Sequence, residues 1–146
     1  MSLSSGTVSY DPNGQFENLA VNESEIDSFT YTIDDGNGGS DSATVEVTVT
    51  GENDAPTATA DEFTISEDAT TTLLPLVPND MDVDTSDMLS VSGVSITGTT
   101  GTVLRSDGTV TYNPDGQFEF LDFNATEIDT FTYTVTDGNG GSDTAT

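Results

Sequence analysis

The sequence predicts an all-β fold, an antiparallel β-sandwich. Three observations carry that prediction: short runs in which apolar and polar residues alternate, Gly, Pro and Asp-Gly turns at close intervals, and no convincing apolar period of 3.6 residues. With 146 residues and 32% hydrophobic content, the chain supports one small sandwich core with residues to spare.

Taken in order, Phe29, Tyr31 and Ile33 alternate with threonines, and Val45, Val47 and Val49 alternate with Glu46, Thr48 and Thr50. Each pattern places one face of a strand inward. The linker GENDAP follows, and then the apolar run Leu73 to Val77, closed by VPND. TGTVLRSDGTVTY, residues 100–112, reads as two short strands joined by an Asp-Gly hairpin turn. A last alternating run, Thr130 to Thr136, turns Phe131, Tyr133 and Val135 to one face. β-branched residues dominate throughout, as strands favour.

Residues 6–44 recur without a gap at residues 108–146, with 27 identities in the 39 aligned positions and a constant offset of 102. That spacing has the size of a small Ig-like sandwich domain and is too long for a solenoid unit. The expected organisation is therefore the second half of one repeat at 1–51, a linker at 52–56, and a second repeat at 57–146 that lacks the counterpart of VEVTVT, residues 45–50.

Charge narrows the function. There are 27 acidic residues against one basic residue, Arg105, for a net charge of −26. Such a field repels nucleic acid and anionic membranes and attracts cations, divalent ones most of all. No stretch approaches the roughly 20 apolar residues of a membrane helix. The absence of Cys and His excludes thiol nucleophiles, catalytic triads and zinc sites of the usual kind. A glycosidase-type carboxylate pair needs a deep cleft that raises one pKa, which a lean sandwich seldom offers. The chain is therefore read as non-catalytic.

In order along the second repeat come Gly51-Glu52-Asn53-Asp54-Ala55-Pro56, Ser66-Glu67-Asp68, Asn79-Asp80-Met81-Asp82-Val83-Asp84 and the FTYTVTDGNGG strand and turn, with VEVTVT before the linker. This order resembles the bacterial cadherin-like and VCBS-type tandem repeats of large secreted, RTX-type surface adhesins. The likeness spans residues 52–146.

The resemblance implies an extracellular, calcium-stiffened spacer or adhesion module, active in cell attachment and biofilms, whose partners are neighbouring repeats and a surface glycan or protein receptor. It implies calcium at the junction between repeats, with Asn53, Asp54, Asp82, Asp84 and Asp137 as ligands and Glu67 facing the opposite pole. Asp80 joins them from the same acidic loop. Turn-borne carboxylates and amide carbonyls suit calcium, which takes six to eight oxygen ligands.

Each acidic motif has a plain alternative: a solvated loop for Asp80, Asp82 and Asp84, a polar linker for Asn53 and Asp54, and hairpin-turn chemistry for Asp137. An EF-hand beginning at Asp80 is excluded, because its sixth and twelfth positions are Thr85 and Val91 rather than Gly and Glu. DGNGGSD occurs once per repeat and so cannot stack as tandem nonapeptides do.

Tyr112, Phe118, Phe131 and Tyr133 fit a core. Phe120 and Phe123 stand opposite Asn18 and Val21 of the first copy, and they keep open a second reading, a carbohydrate- or protein-binding accessory module of a secreted enzyme. An open edge where VEVTVT has no counterpart also predicts strand-swapped self-association.

Overall fold

The computed structural model describes residues 2–4, in backbone only, and 6–146. Its strands are β1 (Ser2–Ser4), β2 (Thr7–Ser9), β3 (Ser24–Asp34), β4 (Ser40–Thr50), β5 (Thr72–Leu74), β6 (Ser90–Ser95), β7 (Thr102–Ser106), β8 (Thr109–Asn113), β9 (Thr132–Thr136) and β10 (Ser142–Ala145). A 3-10 turn at Val77–Asn79 is the one helical segment among the described residues. All strand pairings are antiparallel. The chain divides into two compact units, Met1–Asn53 with Asp84–Ser86, and Asp54–Val83 with Asp87–Thr146.

The second unit holds two three-stranded sheets, ordered β10-β9-β6 and β5-β8-β7. Leu74, Leu76, Val91, Val103, Val110, Tyr112, Phe118, Tyr133 and Val135 form its core. Alternation explains the choice: Tyr133 and Val135 are buried, while Thr132 before them is exposed and Thr134 between them is half-buried. Phe131, placed by the sequence within this strand, lies one residue before β9 and is half-buried against the core. The β7–β8 hairpin turns at Asp107 (φ 48°) and Gly108 (φ 78°), the pair of left-handed residues that matches strand twist.

The register of β6 against β9 shifts between Val91 and Gly93. There Arg105 of β7 donates from Nε to the carbonyl of Val91 at 2.8 Å. The one cation of the chain thus ties an edge strand of one sheet to an edge strand of the other.

The first unit contains two hairpins. β3 and β4 pair over eleven residues, from Ser24↔Thr50 to Asp34↔Ser40. Every β1–β2 pair has its counterpart in β7–β8 at an offset of 102, as Leu3↔Val8 has in Arg105↔Val110. The same holds between β3–β4 and β9–β10, where Asp34↔Ser40 becomes Thr136↔Ser142 and Tyr31↔Ala43 becomes Tyr133↔Ala145.

One expectation fails. Tyr31 and Ile33 match the buried Tyr133 and Val135, yet they are 42% and 61% exposed. Alternation sets which face a side chain takes, but burial needs a second sheet over that face. Among the described residues, β3 pairs with β4 in a two-stranded sheet.

Candidate metal centre

Asp137 follows β9, where the chain must reverse into β10. Its Oδ1 accepts the amide N–H groups of Asn139, Gly140 and Gly141 at 2.7, 3.0 and 3.0 Å, so a single carboxylate oxygen closes the turn. A Cβ at Gly141 would collide with Asp137 Oδ2 and come within 2.8 Å of Ala55 Cα and 3.1 Å of the Asp54 carbonyl. Glycine is thus required where carboxylate, turn and linker backbone meet. Asp137 is only 5% exposed.

Carboxylate oxygens of Asp82, Asp87 and Asp137 all lie within 4.8 Å of one another. Asp82 and Asp87 are half-buried. Asn139 of the glycine turn donates from Nδ2 to both oxygens of Asp87 at 2.9 Å, which fixes Asp87 against the turn. Asp82 is held through its neighbour, since Met81 pairs with Thr57 by N–H to carbonyl bonds of 3.0 and 2.7 Å. Ala58, next along, donates its amide to Asp143 of β10 at 2.9 Å. Carboxylates at such separations repel by roughly 3 to 4 kcal/mol per pair at an effective dielectric near 20. No arginine or lysine relieves them, because Arg105 is the only basic residue and is bonded to Val91. A divalent cation fits this donor set: three hard oxygen ligands on loops, and no nitrogen or sulfur.

The first unit supplies the comparison. Asp35 Oδ1 accepts Asn37 and Gly39 N–H at 2.8 and 2.9 Å, and these bonds hold its pKa below the usual carboxylate range. The acidic residue at this turn is therefore explained by turn closure alone. What distinguishes Asp137 is the convergence of Asp82 and Asp87 on it.

Among the residues expected as ligands, the structure brings Asp82 and Asp137 together. Asp54 is exposed, and its carbonyl lies beside Gly141. Asn53 and Asp84 fall in the first unit, half-buried and 1% exposed respectively. Glu67 is half-buried in the turn in which the amide of Ala69 bonds to the carbonyl of Ser66. Asp80 Oδ1 accepts the amide of Thr59 at 2.8 Å and the hydroxyl of Tyr133 at 3.0 Å. Asp87 was missed, though it continues the run of acidic residues after Asp84.

Residues 53–146 match the family model of the bacterial cadherin-like domain, and residues 1–48 match that of the bacterial Ig domain. The chain belongs to the bacterial cadherin-like family. No match is found among curated proteins or among solved structures. Cadherin-like and Ig domains are typically extracellular, non-catalytic modules of adhesin-like proteins, and cadherin-like domains generally bind calcium. Among the described residues, no helix of this cadherin-like chain is long and apolar enough to cross a membrane.

Proposed function

We infer that this cadherin-like chain is a piece of a bacterial surface adhesin, a spacer of tandem Ig-like repeats about 102 residues apart that calcium stiffens. The observation that carries this reading is the convergence of Asp82, Asp87 and Asp137 in a chain with one basic residue. Bound calcium would replace their mutual repulsion with attraction. Asp82 continues from the Met81 pairing with Thr57, and Gly141 lies against Asp54 and Ala55. A cation there would tie the acidic loop, the glycine turn and the exit of the linker into one rigid piece. Calcium suits loop-borne carboxylates better than magnesium, which demands a near-ideal octahedron and gives up water reluctantly.

The test is calorimetric titration of the chelator-treated chain with calcium, beside thermal melts and a magnesium control. Binding heat and a raised Tm, both abolished by Asp82→Asn with Asp87→Asn, are the expected result. Absence of heat and of any shift in the parent chain would overturn the reading.

A further inference from the structure

We propose that Asn13 is a site of spontaneous covalent modification, deamidation through a succinimide, and that the fold holds Asn139 back from the same reaction. This does not depend on cation binding.

Asn13, Asn37 and Asn139 are each followed by glycine. With no side chain on the second residue to hinder approach, the glycine amide nitrogen can attack the side-chain carbonyl carbon of the asparagine. The new C–N bond expels the side-chain nitrogen as ammonia, and water then opens the cyclic imide to aspartate or isoaspartate. Water is the only other reactant. Two groups must be free together, the glycine N–H and the asparagine side-chain amide.

At Asn13 both are free. Among the described residues, no hydrogen bond engages the Gly14 amide or the Asn13 side chain, and both residues are exposed. The turn is closed by its flanks instead: Asn13 N–H donates to Asp11 Oδ1 at 2.9 Å, and Gln15 N–H to the carbonyl of Pro12 at 3.1 Å. The second unit builds the same turn around Asp115 and Gly116, with φ of 55° and 67° against 52° and 67° for Asn13 and Gly14. There Asp115 N–H donates to Asn113 Oδ1 at 2.8 Å, Gln117 N–H donates to Pro114 at 3.1 Å, and Asp115 and Gly116 are again exposed. An aspartate therefore fits this turn, whereas isoaspartate would lengthen its backbone by one atom.

Asn37 and Asn139 lie in the same stretch, Asp-Gly-Asn-Gly-Gly-Ser-Asp, so local sequence does not rank them and the fold does. Gly140 N–H, the attacking group at Asn139, is held by Asp137 Oδ1 at 3.0 Å, and Asn139 Nδ2 donates to both oxygens of Asp87 at 2.9 Å. Asp137 is buried, and a hydrogen bond to a carboxylate away from water is harder to break. At Asn37 the holds are weaker. Gly38 N–H is among the amides that lower the pKa of the exposed Asp35, and Asn37 Nδ2 donates to the carbonyl of Asp35 at 3.1 Å. Deamidation at 139 would replace the Nδ2 donor with a carboxylate oxygen facing Asp87. The same bonds that fix Asp87 against the turn thus keep a further negative charge out of the acidic centre.

The test is incubation of the full chain in mildly alkaline buffer, with and without urea, followed by peptide mapping in a mass spectrometer that reads amide-to-acid conversion at each asparagine. In the folded chain Asn13 is expected to react first and Asn37 next. Asn139 should be slower than Asn13 by at least about tenfold, the factor that one hydrogen bond to a charged acceptor carries. In urea Asn37 and Asn139 should react at equal rates, since only the fold separates them. The proposal is overturned if Asn139 keeps pace with Asn13 in the folded chain, if Asn13 stays intact there while the unfolded chain reacts, or if Asn37 and Asn139 differ as much in urea as they do folded.

Discussion

Tyr112 donates its hydroxyl to Oδ2 of Asp129 at 2.7 Å, and 102 residues earlier Tyr10 donates to Oδ2 of Asp27 at 2.9 Å. In the second unit the bond anchors a hub. Asp129 also accepts the amides of Thr100 and Gly101 at 2.8 Å each and that of Thr130 at 3.1 Å. A Cβ at Gly101 would strike the hydroxyl of Tyr112, so glycine there is what lets the tyrosine reach across.

Tyr112→Phe is expected to lower stability by about 1 to 2 kcal/mol, since a hydrogen bond to a charged acceptor is lost while the ring stays packed. Urea unfolding at neutral pH measures it.

The same hub gives an acid dependence. Burial alone would raise the pKa of Asp129, but the amides of Gly101 and Thr100 and the hydroxyl of Tyr112 outweigh it and leave the pKa lowered. A carboxyl whose folded pKa is depressed adds stability above its unfolded value, near 3.9, and loses it as pH falls through the folded pKa. Asp129→Asn should therefore be destabilised at pH 7 and show a shallower further loss below pH 4 than the parent chain, measured by urea melts across that range.

Asp61 has the opposite sign. Burial, with the charge of Asp80 beside it, raises its pKa against the lowering effect of hydrogen bonds from Tyr133 and Asn79. Its charge costs stability above the folded pKa, and that cost disappears as pH falls toward the unfolded value. Asp61→Asn is expected to raise stability at pH 7 and to bring no gain near pH 3, as thermal melts at the two pH values will show.

Gly141→Ala drives a methyl group into Asp137 Oδ2 and toward the linker backbone. A loss of about 2 kcal/mol is expected, together with loss of the rise in Tm that the proposed calcium binding would bring to the parent chain. The matched substitution Gly39→Ala meets only the exposed Asp35 carboxylate, at 2.6 Å, and should leave the calcium response intact.

Strands were legible in the sequence wherever alternation and turn chemistry agreed, as at Tyr133 and Val135 or at Asp107-Gly108. The exposure of Tyr31 and Ile33 was not, because a period of two says which side a residue takes and nothing about what lies over that side. Asp82 and Asp137 stand out in the sequence, and the structure brings their carboxylate oxygens within 4.8 Å of each other. Asp87 does not stand out, since it is recruited by a side-chain bond from Asn139, 52 residues away. Asp80, in the same acidic run, has its Oδ1 engaged by Tyr133 and Thr59.

The pairing register also sets an order of events during folding. The β9–β10 hairpin can zip outward from Thr136↔Ser142 as soon as its turn forms, whereas β6 must find β9 from Ser90 to Thr136 and β5 must find β8 from Thr72 to Tyr112. Loop closure across those separations is slower than local hairpin growth. The glycine turn bearing Asp137 is thus assembled early, and Asp82 and Asp87 are carried to it only when the distant strands dock. Charge repulsion among the three is met when those strands dock, so calcium added during refolding is expected to raise the refolding rate, as stopped-flow refolding with and without calcium will show.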